Sequence, residues 1–361
     1  MADPSIQPCP RVTAEDEPLK ALLLPFETGA LPWPAQGTIA FLRARDGWPL
    51  RRHPLANLRC EQGFRPLADG LRQAGLDAQP ELQGAGGAAL VLVLPPRQRE
   101  EAQALLARAV DLAAPGARVV AAVANDEGAR SREKDLQQLA GLDGTLTKFH
   151  CRVFWTPPLA GPRDPELAAR WRVADAPRPI LGGRYTSRPG VFAWDRIDPA
   201  SALLAAQLRA DLRGRGADLG AGWGYLSDEV LRRAPGVAAL DLYEAEARAL
   251  ELARGNLAAH AAKVALGFHW HDVTTGLPAD GYDFIVSNPP FHAHDRGDRP
   301  ELGQRFIEVA AQALRPGGRL LMVANRHLPY EATLAQAFGT TRVLAEGGGF
   351  KVIEALKGAR R

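Results

Sequence analysis

Two stretches of this 361-residue chain follow one another's order closely enough to restrict the folds open to it. Ala89 to Leu94 is an apolar run ending in Leu94-Pro95-Pro96; a helical stretch, Glu101 to Ala113, follows, and then APGARVVAAVAN, Ala114 to Asn125. In the second half Tyr282 to Ser287 runs into Asn288-Pro289-Pro290, and RPGGRLLMVAN, Arg315 to Asn325, comes after it. Both copies read apolar strand, Pro-Pro, helix, Pro-Gly, apolar strand, Asn. Proline ends a strand ladder and Pro-Gly turns the chain into the next buried strand, so the shared order points to an internal duplication. Each copy then has to lay its strands side by side through helical crossovers, which is an α/β arrangement.

The second half carries the clearer signal. A helix through Ala202 to Arg213 leads to a strand ending near Leu219; a glycine turn, a helix from Tyr225 and a strand over Ala238 to Tyr243 follow. The helix predicted over Glu246 to His260 puts Leu250, Ala253 and Leu257 on one stripe, which makes them core residues. Strands recur at Val264 to His269, Tyr282 to Ser287 and Arg319 to Ala324, and Thr341 to Ala345 with Phe350 to Ala355 close the chain as an antiparallel hairpin. The expected architecture is a doubly wound sheet.

At this length two domains are expected. The stretch from Pro157 to Arg188, rich in Pro, Gly and Arg, reads as a linker holding a short helix. That places an N-terminal domain at 1–160, the linker at 161–188 and a C-terminal domain at 189–361. No apolar run approaches the ~20 residues of a membrane span, and the first residues, MADPSIQPCPRVTAEDEP, lack the apolar core of a secretory signal, so a cytoplasmic location is expected. Cys9, Cys60 and Cys151 lie far apart with no CxxC pair, against both a disulfide framework and a thiolate zinc site. A net charge of +3 neither demands nor excludes a nucleic-acid partner.

ADLGAGWGYLS, Ala217 to Ser227, lies where a strand passes into a helix. Gly220, Gly222 and Gly224 allow the backbone to come close to a ligand, and Asp218 offers an acceptor to a cationic amine. Glu244, ending the next strand, suits a pair of ribose hydroxyls; a nicotinamide-binding fold uses the same spacing. Asp272, with Val273 beside it, ends the following strand and suits the exocyclic amine of adenine. His269 and His271 flank Trp270 without a third ligand, so no metal is expected.

Asn288-Pro289-Pro290-Phe291 then falls at the edge where doubly wound sheets bind ligands. The exocyclic amine of a nucleobase is a poor nucleophile because its lone pair is delocalised into the ring. The Asn288 side-chain oxygen and the Pro289 carbonyl can accept its two hydrogens and turn the lone pair outward, with the prolines holding that carbonyl stiffly. Phe291 can stack on the base, a contact worth about 1–3 kcal/mol.

Taken together, DxGxGxG, the spaced acids and NPPF resemble the class I methyltransferases that use S-adenosylmethionine. GVFAWDRIDPASALL, DFIVSNPPFH and VANRHLPYEATLAQAFG narrow the resemblance to the ribosomal RNA guanine-N2 methyltransferases. That resemblance implies two tandem Rossmann-like class I methyltransferase domains, the N-terminal one degenerate and serving RNA binding or support. It implies methyl transfer to the exocyclic N2 of a guanine in small-subunit (16S) rRNA. Asp218, Gly220 and Gly222 would hold the methionine end of the cofactor, Glu244 the ribose, Asp272 the adenine, and Asn288 to Phe291 the guanine. Gly190, Val191 and Phe192 resemble the segment that packs beside the cofactor. Leu94 stands where the active copy has Asn288 and has no acceptor for an amine hydrogen, so the first copy should not be catalytic. Arg43, Arg45, Arg51 and Arg52 form a basic cluster that suits phosphates or a solvated face equally well. Large-subunit (23S) rRNA, a protein glutamine, DNA adenine and a non-enzymatic RNA-binding role are the competing readings; a nicotinamide oxidoreductase explains the glycine turn and leaves NPPF without a purpose.

Overall fold

The computed structural model describes residues 16–53, 57–84, 86–290 and 300–358. Among these residues the strands build two seven-stranded sheets of one topology. The first holds β1 Thr38–Leu42, β2 Leu58–Glu61, β3 Ala78–Gln79, β4 Ala88–Val93, β5 Ala113–Ala124, β6 Gly144–Lys148 and β7 Cys151–Trp155 in the order β3-β2-β1-β4-β5-β7-β6. A two-stranded ribbon, β8 Arg178–Ile180 and β9 Tyr185–Ser187, comes next along the chain. The second sheet holds β10 Arg213–Leu219, β11 Gly236–Glu244, β12 Ala265–Trp270, β13 Tyr282–Ser287, β14 Leu314–Asn325, β15 Thr340–Gly347 and β16 Phe350–Leu356, ordered β12-β11-β10-β13-β14-β16-β15. In each sheet five strands are parallel and a closing hairpin is antiparallel. The strand order reverses between β10 and β13, and a sheet of this kind opens a crevice at the carboxyl ends of those two strands.

Both faces of the second sheet are covered, which is why its central strands read as continuous apolar runs. Ala217, Leu219, Tyr243 and Ile285 look to one side, where Phe306, Ile307 and Ala310 of the helix Pro300–Ala313 meet them. Leu240, Leu242, Phe284 and Val286 look to the other, against helices Pro199–Ala206, Tyr225–Arg233 and Ala247–Asn256. Leu250, Ala253 and Leu257 are buried there as their spacing requires. Burying each of the two leucines contributes about 1.5–3 kcal/mol.

Several expected elements differ in extent: the strand read as Arg319 to Ala324 runs from Leu314 to Asn325, and that read as Ala238 to Tyr243 from Gly236 to Glu244. The helix read as Ala202 to Arg213 begins at Pro199 and ends at Ala206. Asp198 caps it by accepting from Ser201 N at 2.8 Å, and Pro199 pre-sets its first turn. At its far end Gln207 N and Leu208 N bond back three residues, and Leu208 and Leu212 turn into the core, so the chain leaves the helix early. The helix from Glu246 starts one residue later, at Ala247, and stops at Asn256, with a single 3-10 turn at Ala258–His260. The stretch 161–188 is folded: helix Pro165–Arg172, capped by Asp164, buries Ala168 and Trp171, and β8 and β9 pair beyond it.

The chain forms two compact units, residues 1–62 with 67–175, and residues 63–66 with 176–361. The short segment Gly63–Pro66 belongs to the second unit: Arg65 N donates to Ala245 O at 2.8 Å, Ala247 N to Gly63 O at 2.9 Å and Trp270 Nε1 to Gly63 O at 3.0 Å. No helix among the described residues is long and apolar enough to cross a membrane. Cys60 and Cys151 are free and buried, and burial pushes both thiols up to about 12, so they are packing residues; Cys9 lies outside the described residues. Three arginines of the basic cluster are matched by acids: Arg45 by Asp16, Arg51 by Asp46, Arg52 by Glu27.

Candidate active site

β10 ends in Asp218-Leu219 and passes into the turn Gly220-Ala221-Gly222-Trp223-Gly224. Gly220 takes φ 76° and Gly222 φ 56°, left-handed values that favour glycine. A Cβ at Gly220 would touch Phe306 and the Asn288 carbonyl, whereas one at Gly222 would enter open space. The turn therefore presents bare backbone at Gly222. Gly224, at φ 91°, lies before the helix Tyr225–Arg233, and a Cβ there would press on Ala253 at 3.2 Å; it serves helix packing. Trp223 holds the turn from below: its ring is buried, its Nε1 donates to Phe192 O at 3.2 Å, and its own carbonyl accepts from Asn256 Nδ2 at 2.8 Å. Phe192 is 69% exposed, so it is not a core residue.

Asp218 is fully buried. Its Oδ2 accepts from Ser227 Oγ at 2.7 Å, and its Oδ1 has no partner. Burial pushes the carboxyl up to about 7; the Ser227 bond opposes this and the nearby Glu244 charge adds to it. On the neighbouring strand Glu244 Oε2 accepts from Gly222 N and Oε1 from Glu246 N, both at 2.7 Å. These bonds tie the second strand's acid to the glycine turn. Burial raises the Glu244 carboxyl as well, against the pull of those two N–H groups. One strand further out, Asp272 Oδ1 accepts from Thr274 N at 2.9 Å and Thr274 Oγ1 at 2.6 Å, which fixes the carboxylate at the end of β12. The Val273 side chain lies in the apolar cluster with Tyr243 and Phe306.

On the other side of β10, Ser287 Oγ bonds Leu219 O at 2.8 Å and brings the end of β13 beside the glycine turn. Asn288 comes next. Its Nδ2 donates to Asp198 Oδ2 at 2.9 Å and to Ser201 Oγ at 2.8 Å, and its Oδ1 is buried without a partner. Pro289 is buried and Pro290 exposed; Phe291 lies outside the described residues. Asp218, Gly220, Gly222, Glu244 and Asn288 thus meet at the carboxyl ends of three adjacent strands, with Asp272 on the fourth. Among the described residues no group of three His, Cys, Asp or Glu side chains is placed to hold a metal.

Sequence reasoning passed over Asp198, Ser201, Ser227 and Asn256. Asp198-Pro199 is a helix-start signature and was open to reading. The partnerships of Ser227 and Asn256 depend on packing and leave no mark in the chain.

The ladders align the two sheets residue by residue. Leu42 pairs with Val93 in the first as Leu219 pairs with Ser287 in the second, which sets Leu94 on Asn288 and Phe41 on Asp218. Leu42 also pairs with Glu61 as Leu219 does with Tyr243, which sets Gln62 on Glu244. Leu82, three residues past Gln79, matches Asp272, three past His269. Each acid or amide of the second site thus has Phe, Gln, Leu or Leu in the first. Arg43 sits where Gly220 sits and keeps a positive φ of 53°, a relic of the turn without its glycines.

A family model described as the methyltransferase small domain matches residues 183–354. The ribosomal RNA small subunit methyltransferase C of Sodalis glossinidius is 30% identical over 330 residues, covering 91% of this chain and 88% of that protein. The chain belongs to the ribosomal RNA small subunit methyltransferase C family. The 16S rRNA N2 methyltransferase RsmC of T. thermophilus, solved in complex with AdoMet and guanosine, superimposes with a TM-score of 0.77 at 26% identity, over 99% of this chain and 97% of that one. The ribosomal RNA large subunit methyltransferase G of Streptomyces avermitilis is 34% identical over 210 residues, 57% of this chain and 54% of that protein. Against it and two further curated relatives, the chain spans 54–60% of their length. The family's fold, two tandem Rossmann-like domains, is the one seen here.

Proposed function

We propose that this chain transfers a methyl group from S-adenosylmethionine to the exocyclic N2 of a guanine in small-subunit rRNA, in the cytoplasm. The observation that carries the reading is the pair of buried, unpartnered acceptor oxygens, Asp218 Oδ1 and Asn288 Oδ1, at the ends of two hydrogen-bonded strands. A buried acceptor without a donor costs about 1–3 kcal/mol, and a substrate or cofactor donor removes that cost. The residues fit the cofactor. Asp218 offers an acceptor to its ammonium group, Gly222 leaves room against bare backbone, Glu244 suits the ribose and Asp272 the adenine.

When bound, the cofactor would supply an electrophilic methyl group on its sulfonium sulfur. Asn288 Oδ1 and the Pro289 carbonyl would accept the two amine hydrogens and aim the nitrogen lone pair. On gaining the methyl group, the N2 amine would give up one of its two hydrogens as a proton to solvent. Positioning carries most of the acceleration, up to about 7–11 kcal/mol in well-aligned cases. The first unit, with Phe41, Gln62, Leu82 and Leu94 in the corresponding places, serves RNA binding or support.

The likeness to a large-subunit methyltransferase favours a second reading, the same chemistry on 23S rRNA. Tritiated methyl donor and separated 30S and 50S subunits from cells lacking this gene decide between them. Labelled N2-methylguanosine in 30S is the expected product; label in 50S alone selects the second reading, and label in protein overturns both. Asn288→Ala should bind S-adenosylhomocysteine as the wild type does and lose transfer by about 100-fold or more.

A further inference from the structure

A carboxamide has nearly the same shape after a half-turn about its last bond, but the turn exchanges an acceptor for a donor. Facing an amine, only the oxygen end of Asn288 works; the nitrogen end would set hydrogens against hydrogens. The Pro289 carbonyl belongs to the backbone and has no such choice.

We infer that Asp198 and Ser201 are positioning residues that lock the Asn288 carboxamide with its oxygen toward the substrate amine. This inference rests on the proposed reading of the site. Both hydrogens of Nδ2 are used, on Asp198 Oδ2 at 2.9 Å and Ser201 Oγ at 2.8 Å. A half-turn would press Oδ1 against the Asp198 carboxylate with no proton between them. Ser201 alone would tolerate that turn, because a hydroxyl can donate as well as accept; the carboxylate cannot. Asp198 is in turn held by the fold. The same Oδ2 accepts from Ser201 N at 2.8 Å as the cap of helix Pro199–Ala206, and Pro199 fixes the backbone at the first helical position. The helix end aims the carboxylate, the carboxylate aims the amide, and Asn288 Oδ1 is left buried and unpartnered before any amine arrives.

The test uses the full chain with Asp198→Ser, Ser201→Ala and the double variant. Serine keeps the helix cap and removes the carboxylate. The rate constant for methyl transfer should fall about 10-fold in Asp198→Ser, by less in Ser201→Ala, where the carboxylate still bars the half-turn, and furthest in the double variant. KM for the ribosomal subunit, S-adenosylhomocysteine affinity and the thermal midpoint of Asp198→Ser should stay close to wild type. Asp198→Asn, whose amide oxygen can take over both bonds, should keep most of the rate. In the ligand-free protein the Asn288 side-chain amide protons should exchange slowly with solvent, and faster in the double variant. An unchanged rate in the double variant overturns the inference, as does a loss that follows the thermal midpoint or cofactor affinity. If the wild type itself puts no label on guanine N2, the functional reading fails, and the amide exchange still decides whether the side chain is locked.

Discussion

Asp218 Oδ1 has no donor, and burial, with the nearby Glu244 charge adding to it, holds this carboxyl near 7. An acid whose folded pKa lies above its unfolded one keeps its proton more tightly in the native state. The contribution of this group to stability is therefore greatest below pH 4 and is lost as pH rises to about 7. In the ligand-free protein Asp218→Asn should remove that decline and stabilise the fold at pH 8 by on the order of 3 kcal/mol, read from denaturant midpoints across pH. The cofactor's ammonium group should reverse the balance by favouring the ionised form. S-adenosylhomocysteine affinity of the wild type should rise about tenfold per unit from pH 5 toward 7 and then level off, while the Asn variant binds weakly throughout; calorimetry reads both. Asn288 presents the same situation without a charge: an acceptor kept from water by packing and from other donors by Asp198 and Ser201.

The element that joins these residues is the glycine turn, held at three points. Trp223 anchors it through Phe192 O, Asn256 grips the Trp223 carbonyl, and Glu244 accepts from Gly222 N. Asn256 also exchanges bonds with Thr186 N and O, at 2.8 and 3.0 Å, so β9 braces the turn as well. A Cβ at Gly222 meets nothing within 4 Å, yet φ 56° strains a side chain there. Gly222→Ala should cost only about 1 kcal/mol in stability and at least tenfold in S-adenosylhomocysteine affinity, since the methyl group projects into the open cleft. Equal losses in both would mean that Gly222 serves the turn alone. The helix before the turn shows where local reading fails. Asp198-Pro199 marks its start, but its early end depends on Leu208 and Leu212 reaching a core that the local sequence does not describe.

Across the whole molecule, one topology appears twice with opposite outcomes. The first copy keeps the strand order, the positive φ at Arg43 and the Pro-Pro stop after Leu94, but an ion pair of Glu61 with Arg108, 2.6 Å from Oε1 to Nη1, lies beside Leu82, whose carbonyl also accepts from Arg108. Restoring one residue should not restore a site. Leu94→Asn should leave one S-adenosylhomocysteine bound per chain in calorimetry, and should destabilise the fold by about 3 kcal/mol, because it trades a 3% exposed leucine for an amide without partners. Two bound molecules would show that the first copy is closer to activity than its residues imply.

The chain alone determined the duplication, the doubly wound order and the strand ends at which Asp218, Glu244, Asp272 and Asn288 lie. Those features are written in periodicities and in glycine and proline positions, which act over a few residues. The units divide between Asp175 and Ala176, inside the Pro-rich stretch read as linker; what the sequence left unread is that this stretch also holds a strand pair, and that Gly63–Pro66 belongs with the second unit although it precedes it by more than a hundred residues. Only the tertiary structure decided that Phe41, Gln62 and Leu82 replace the three acids in the first copy, since that equivalence lives in ladder register. It alone placed Asp198 and Ser201 on the nitrogen of Asn288, 90 and 87 residues away in the chain. Hydrogen bonds across such separations follow from how helices pack on a sheet, and no local pattern encodes which side-chain atom is left without a partner.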